Sequence, residues 1–197
     1  MTGAAASVAE LTTERLLLRG WRDADREPFA ALCADPEVMR YFPGPRSRAE
    51  SDASVDRFQA GFAERGYGLW AVEVRATGAF AGFVGLNPAP DEVPAAPATE
   101  IGWRLARRFW GRGYAPEAAR AVLDHAFGRL GFTELVSFTT FTNAKSRRVM
   151  EKLGMSHDPA DDFDNPGLET WADTRHVVYR LAADAYLAGL RARTAAS

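Results

Sequence analysis

The run Glu100–Glu117, EIGWRLARRFWGRGYAPE, constrains the fold of this chain more than any other segment. Ile101, Trp103 and Leu105 alternate with other residues, as a half-buried strand does. Gly111 and Gly113 then bracket Arg112, and Pro116 suits the first turn of a helix predicted to begin near it. Ala119, Val122, Leu123, Ala126, Phe127 and Leu130 continue at helical spacing. A strand, a tight glycine loop and a helix therefore follow one another. Glycines let main-chain N–H groups turn inward and approach a ligand closely. The orphan N–H groups of a helix start, together with its dipole, make an anion site whose usual guest is phosphate. A plain turn uses the same glycines, so the loop alone does not decide.

Two common phosphate motifs are absent. There is no G-x-G-x-x-G, and no Lys-Ser/Thr follows the loop as a P-loop requires. What is present is Arg108-x-x-Gly111-x-Gly113, followed by Tyr114 and Ala115. This resembles the R/Q-x-x-G-x-G/A signature of the GNAT superfamily of acetyl-CoA-dependent N-acetyltransferases. The words EIGW, FWGRGYAPEA and NAKSRRVMEKLGM resemble the branch containing the ribosomal-protein N-terminal (Rim-type) acetyltransferases. The resemblance runs from about Leu11 to Leu181 and is densest between Glu100 and Met155.

The flanking segments supply the rest of an α/β domain. Arg15–Trp21, with Leu16, Leu17 and Leu18, is predicted as a buried strand, and Asp23 as the cap of a helix running to about Cys33. Ser47 and Glu50 form a capping box ahead of a helix with Val55, Phe58 and Phe62 on its apolar stripe. Leu69–Val74 and Phe80–Leu86 are strands joined by a hairpin at Thr77–Gly78. Asn87–Ala98, rich in Pro and Ala, reads as a surface loop. Beyond the central segment come a strand, Leu135–Phe141, and a helix capped by Asn143 and stopped by Gly154. Ser156–Thr174 reads as a long polar loop, His176–Leu181 as the last strand, and Ala182–Ser197 as a tail with a short, fraying helix. The expectation is one domain over residues 11–181, with tails at 1–10 and 182–197. The resemblance adds that the sheet is mixed and mostly antiparallel, flanked by helices, with two central strands splayed at the cofactor site.

The composition narrows the function. With 47% hydrophobic residues the chain can bury a core, and a net charge of −2 argues against a general nucleic-acid or membrane binder. Arg104, Arg107, Arg108 and Arg112 form a local basic cluster beside the loop. The single cysteine, Cys33, excludes an internal disulfide and falls on an apolar helix face, as a buried small hydrophobe does. No signal sequence or membrane-length apolar run is visible, so the expected compartment is the cytoplasm. His125, His157 and His176 lack metal-ligand spacing, and no metal is expected. His125 is read as structural and His176 as a core or rim histidine. Asp161, Asp162 and Asp164 are read as a solvated acidic loop, the alternative being a site for a cationic amine.

The resemblance implies acetyl transfer from acetyl-CoA to a primary amine, either a protein N-terminus or a small amine. Transfer is direct, in a ternary complex, by a monomer or a homodimer. A non-catalytic acyl-CoA-binding or regulatory module is the alternative. By the same resemblance, Trp103, Arg104, Leu105 and Ala106 lie along the pantetheine arm, and Arg108, Gly111, Arg112, Gly113, Tyr114 and Ala115 hold the pyrophosphate. Asn143 corresponds to a residue that bonds the pantetheine arm, and also fits a plain helix cap. Ser146 lies on the same side of that helix and is a candidate to meet the departing sulfur. Many relatives place a proton-donating tyrosine four residues further on. Here the residue is Met150, which cannot donate. Glu100 is the candidate base, acting directly or through water, or else an exposed residue at a strand start.

Overall fold

The structure is a computed structural model that describes residues 8–91, 93–166 and 173–195. Residues 1–7 of the N-terminal tail, residues 167–172 of the loop read as Ser156–Thr174, and residues 196–197 of the C-terminal tail lie outside the described residues. The chain forms two compact units. One holds the chain to Asn87 and Gly102–Val122, and the other holds Pro88–Ile101 and the chain from Leu123.

The first unit is built on β1 (Leu11–Thr12), β2 (Leu16–Arg19), α1 (Arg26–Ala34), α2 (Arg48–Arg65), β3 (Leu69–Val74), β4 (Ala79–Pro88) and the later part of β5 (Thr99–Leu105). β1, β2, β3 and β4 pair antiparallel in sequence order, with Leu16 opposite Val74 and Leu69 opposite Gly85. The Thr77–Gly78 turn closes β3–β4 with Gly78 at φ +68, a left-handed angle that suits glycine. α2 begins on the expected capping box, Ser47 accepting from the Glu50 main chain, and ends at left-handed Gly66.

The predicted cap of α1 is corrected. Asp23–Asp25 is a 3-10 turn ahead of the helix, and the exposed Asp23 carboxylate pairs with Arg26 at 3.3 Å. It is Asp25 that accepts the Arg22 N–H at 2.8 Å, and it also accepts from the buried Arg19 guanidinium at 2.7 and 2.9 Å. One carboxylate thus serves the start of the turn and a buried guanidinium that would be costly unpaired. The core of this unit is aromatic: Trp21 meets Phe29 edge-on at 5.0 Å, with Phe58, Phe80 and Phe83 around them. Cys33 is buried in the same cluster, as expected.

α3 (Tyr114–His125) leads out of this unit, and its last turns widen before closing at Gly131, φ +74. The second unit adds β6 (Glu134–Thr140), α4 (Ala144–Leu153), β7 (Ser156–His157), β8 (Phe163–Asp164), β9 (Arg175–Ala182) and α5 (Ala183–Ala195). β5 meets β6 in parallel at Glu100 opposite Val136, while β6, β7 and β8 each pair antiparallel with β9. The result is the expected mixed, mostly antiparallel α/β arrangement flanked by helices.

Two expected loops carry more structure than their composition suggests. Val93, in the segment read as a surface loop, is 2% exposed and packs with Val136, Phe163 and Val178. A valine among prolines and alanines still gains by leaving water. The acidic loop folds into β7, a 3-10 turn at Pro159–Asp161 and β8. α5 is anchored by buried Tyr186, whose hydroxyl donates to Asp124 at 2.9 Å.

Candidate active site

In the first unit the chain leaves β5 at Leu105, makes a 3-10 turn at Arg107–Phe109, and reaches Trp110. The Trp110 indole donates to the Leu105 carbonyl at 2.8 Å and packs, with Ala106, on the aromatic core. That contact closes the loop on itself. Gly111 and Gly113 have φ of +73 and +77, so both sit where a side chain is strained. Gly111, Arg112 and Gly113 are exposed, whereas Tyr114 is buried. The helix starts at Tyr114, two residues before the predicted point. Pro116 falls inside its first turn, where a missing N–H costs nothing. The Glu117 N–H already bonds back to the Gly113 carbonyl at 3.2 Å, so the N–H groups of the preceding turn are the ones left for a guest.

A carboxylate in that first turn would repel an anion. Glu117 is instead drawn to the β1–β2 hairpin: Thr13 Oγ1 donates at 2.6 Å, the Arg15 N–H at 3.0 Å and Arg15 Nε at 2.7 Å. Burial pushes its carboxyl up, but these hydrogen bonds outweigh burial and hold it below the ordinary carboxylate range. Arg15 also donates to the Arg112 carbonyl at 3.0 Å and lies 4.9 Å from the Tyr114 ring centre. One side chain thus neutralises Glu117 and fixes the loop.

The four arginines of the local basic cluster have different neighbours. Arg104 turns against the Phe42 ring at 4.0 Å, with Nη1 3.8 Å from the Cys33 sulfur. Arg107 pairs with Asp35 at 3.5 Å. Arg108 donates to the Phe80 carbonyl at 3.3 Å and is exposed, as is Arg112. Trp103 is half-buried and Leu105 buried on β5. Two glycines of β4 allow close backbone approach on its two sides, Gly82 toward β5 and Gly85 toward the start of β3. A Cβ on Gly82 would stand 2.1 Å from the Arg104 carbonyl, and one on Gly85 would stand 2.2 Å from the Gly68 carbonyl. Their signal was a glycine pair inside a strand, FAGFVG, which marks close backbone approach.

In the second unit, Glu100 is half-buried on β5 beside β6. Asn143 caps α4, its Oδ1 accepting from the Ser146 N–H at 3.2 Å while its Nδ2 donates to Thr139 Oγ1 at 2.9 Å. Asn143 and Ser146 are therefore brought together, and Thr139 joins them. Met150 is fully buried on the inner face of α4. The acidic residues have partners within the chain itself. Asp161 takes Arg180 at 2.7 Å and Asp162 takes His157 at 2.7 Å, while Asp164 lies 3.8 Å from Arg175. Asp164 remains 70% exposed, in keeping with a solvated loop, while Asp162 is largely buried. Burial, aided by Arg129, lowers the His125 imidazole.

Among the described residues no group of three or more His, Cys, Asp or Glu side chains is placed to hold a metal ion. Among them, too, no helix is long and apolar enough to cross a membrane.

The acetyltransferase (GNAT) domain family matches residues 15–156. The chain is 38% identical to the Bacillus subtilis protein YkkB over 151 residues, 75% of this chain and 86% of that protein. It is 36% identical over 183 residues to the FsC-acetyl coenzyme A-N(2)-transacetylase of Aspergillus fumigatus, 86% of this chain and 76% of that protein. The crystal structure of an acetyltransferase from Agrobacterium tumefaciens superposes with a TM-score of 0.73 at 31% identity, covering 92% of this chain and 98% of that one.

Proposed function

The chain belongs to the GNAT acetyltransferase family, and from that premise we propose that it moves an acetyl group from acetyl-CoA to a primary amine by direct transfer in a ternary complex. The observation that carries the reading is the loop Arg108–Ala115. Two left-handed glycines lie exposed at the start of α3, and the one acid of that turn is neutralised by Arg15. This is what a pyrophosphate needs. The name of the Aspergillus relative, with acetyl coenzyme A as donor and a nitrogen acceptor, supports both halves of the reaction.

In this reading residues 11–181 act as one acetyltransferase domain. The N–H groups of Gly111, Arg112, Gly113, Tyr114 and Ala115, with the Arg108 side chain, hold the pyrophosphate. Trp103, Arg104, Leu105 and Ala106 present main-chain groups to the pantetheine arm, because Arg104's side chain is engaged on Phe42. Asn143 contributes to the arm through the end of α4 that it caps. Positioning supplies much of the rate, and N–H groups aimed at the thioester oxygen stabilise the tetrahedral intermediate. Glu100 draws the acceptor's ammonium form and takes part in removing its proton, directly or through water. Ser146 meets the departing sulfur. Buried Met150 gives no proton, and a thiol of pKa about 8.5 leaves tolerably near neutrality without one.

The acceptor sets how much base is needed. An α-amine of pKa about 8 is roughly 10% neutral at pH 7, and a lysine amine is under about 0.1% neutral. An N-terminal or similarly weak amine therefore suits this site best. Calorimetric titration with acetyl-CoA, followed by thiol release against short peptides and small amines, tests the reading. Coenzyme binding with amine-dependent thiol release supports it. Absence of coenzyme binding contradicts it.

A further inference from the structure

His176, expected to be a core or rim histidine, stands in a setting that asks for a ligand. Directly paired residues on adjacent strands point to the same side of a sheet. Glu100, Val136, Phe138 and Thr140 therefore share one face of the second unit's sheet with Val178 and His176. The Phe141 N–H bonds to the Arg175 carbonyl at 2.8 Å. Bonded and non-bonded pairs alternate along an antiparallel ladder, so Thr140 and His176 are a non-bonded pair, the kind whose side chains lie closest.

Both side chains are unfinished. Thr140 is 1% exposed, and its hydroxyl has no hydrogen-bond partner among the described residues. Native structures rarely leave such a hydroxyl unsatisfied, and an unmet one is a place where a bound molecule completes the bonding. His176 Nδ1 lies 2.7 Å from the Thr174 carbonyl. A carbonyl only accepts, so Nδ1 carries the hydrogen and Nε2 of the neutral ring keeps its lone pair. The ring is held by Phe163 at 5.3 Å and Phe138 at 6.5 Å.

Several charged groups on the neighbouring strands and loops pair with one another, while Arg147 of α4 donates to the Tyr179 hydroxyl at 3.4 Å and the Phe141 carbonyl at 3.1 Å. Arg175 lies between Asp162 and Asp164, Arg180 holds Asp161 and Glu134, His157 takes Asp162, and Thr142 donates to Asp173. Glu100 stands two strands away and four residues along, roughly 16 Å from His176 between Cα atoms by ordinary strand spacing. The two cannot both touch one nitrogen.

We propose that Thr140 and His176 form the acceptor side of the acetyl transfer, Thr140 bonding the amine and His176 Nε2 taking its proton. This rests on the proposed N-acetyltransferase reaction. The amine nitrogen forms the new N–C bond to the thioester carbonyl carbon, the C–S bond breaks, and its electron pair leaves on the thiolate. The nitrogen's proton passes to His176 and from there to solvent. With Nδ1 donating to the Thr174 carbonyl, the Nε2 lone pair is the acceptor that this step needs. On this assignment His176 replaces Glu100 as the group that takes the proton, and Glu100 is left as a distant negative charge toward the ammonium form.

The test uses the full chain as wild type, His176→Asn and Thr140→Val. Asn keeps a donor near the Nδ1 position and removes the base. Val keeps the threonine shape and removes the hydroxyl. Melting, acetyl-CoA affinity by calorimetry, and kcat/KM for amines across neutral pH are measured on each, the probes being short peptides with free N-termini and small primary amines. The expected result for His176→Asn is unchanged melting and coenzyme affinity, a loss of about 100-fold or more in kcat/KM, and loss of the rising limb of the pH profile. Thr140→Val is expected to melt no lower than wild type and to raise KM for the amine. Wild-type rates and pH profile in His176→Asn overturn the proposal. If that variant does not fold, an unchanged amine KM in Thr140→Val overturns it instead. If wild type binds acetyl-CoA but acetylates no probe, the assignment falls with the reaction. If wild type binds no acetyl-CoA, the coenzyme reading itself has failed.

Discussion

Arg15 and Glu117, far apart in the chain, are joined twice: the Arg15 main-chain N–H reaches one carboxylate oxygen at 3.0 Å and Nε reaches the other at 2.7 Å. The pair ties the β1–β2 hairpin to the first turn of α3, directly under the glycine loop. Glu117 titrates below an ordinary carboxylate when folded, burial being outweighed by the bonds from Thr13 and Arg15. A carboxyl lowered on folding stabilises the protein above its unfolded pKa, about 4.3, and loses that contribution as pH falls through the folded value. Glu117→Gln should therefore cost about 1–3 kcal/mol in urea unfolding at neutral pH. The gap between wild type and variant should close in acid, below about pH 4. A gap that persists unchanged in acid contradicts the assignment.

The loop glycines should separate strain from ligand contact. Gly111 has open space where a Cβ would go, so Gly111→Ala meets only the left-handed backbone penalty, about 1–2 kcal/mol of stability. Gly113→Val adds a branched side chain where phosphate must approach and Arg15 lies 3.5 Å from the Cβ position. It should fold and fail to bind acetyl-CoA in a calorimetric titration. A folded Gly113→Val that binds normally removes the loop from the coenzyme site.

Gly82→Ala should be worse for the fold than either. Its Cβ would meet main chain, the Arg104 carbonyl at 2.1 Å, which no side-chain rotation relieves. Loss of more than about 4 kcal/mol, or failure to accumulate as folded protein, is expected, and circular dichroism with thermal melting reads it.

Legibility in the sequence followed the range of the forces involved. The capping box at Ser47–Glu50, the hairpin at Thr77–Gly78 and the Asn143–Gly154 helix depend on neighbours in sequence, and each stands where periodicity and caps place it. What depends on distant partners was hidden. Asp25, not Asp23, serves the helix start while also holding Arg19, Val93 is taken into a core assembled from β6, β8 and β9, and the aspartates of the acidic loop find Arg175, Arg180 and His157. The glycine loop was visible because its glycines are local necessities. The neutralisation of Glu117 by Arg15, and the pairing of Thr140 with His176, needed the sheet.

The thiolate end of the reaction has its own test. Ser146 is half-buried on α4, and a hydroxyl used mainly in the transition state lowers kcat more than it raises KM when removed. Ser146→Ala should show that split for acetyl-CoA. Met150→Tyr should give no gain in turnover and should cost about 1–3 kcal/mol of stability, because Met150 is fully buried and a larger ring overpacks the site. A several-fold rise in turnover with Met150→Tyr, together with a silent Ser146→Ala, shows a sulfur that leaves unaided.

Acetyl-CoA itself should stabilise the fold. At ~100 times its dissociation constant it should add about 2.7 kcal/mol, read as a rise in melting temperature that Gly113→Val lacks. No shift at saturating coenzyme in the wild type contradicts the coenzyme site.

The most direct test of the central claim is the stoichiometry of transfer. Wild-type protein is given acetyl-CoA labelled in the acetyl group together with the peptide and amine probes, and free coenzyme thiol and labelled amine are counted in the same samples. The account predicts one acetylated amine for each thiol released, dependent on both substrates and abolished in Gly113→Val. Coenzyme that binds but releases no thiol, or thiol released without labelled amine, contradicts it and leaves a coenzyme-binding module or a hydrolase in place of an N-acetyltransferase.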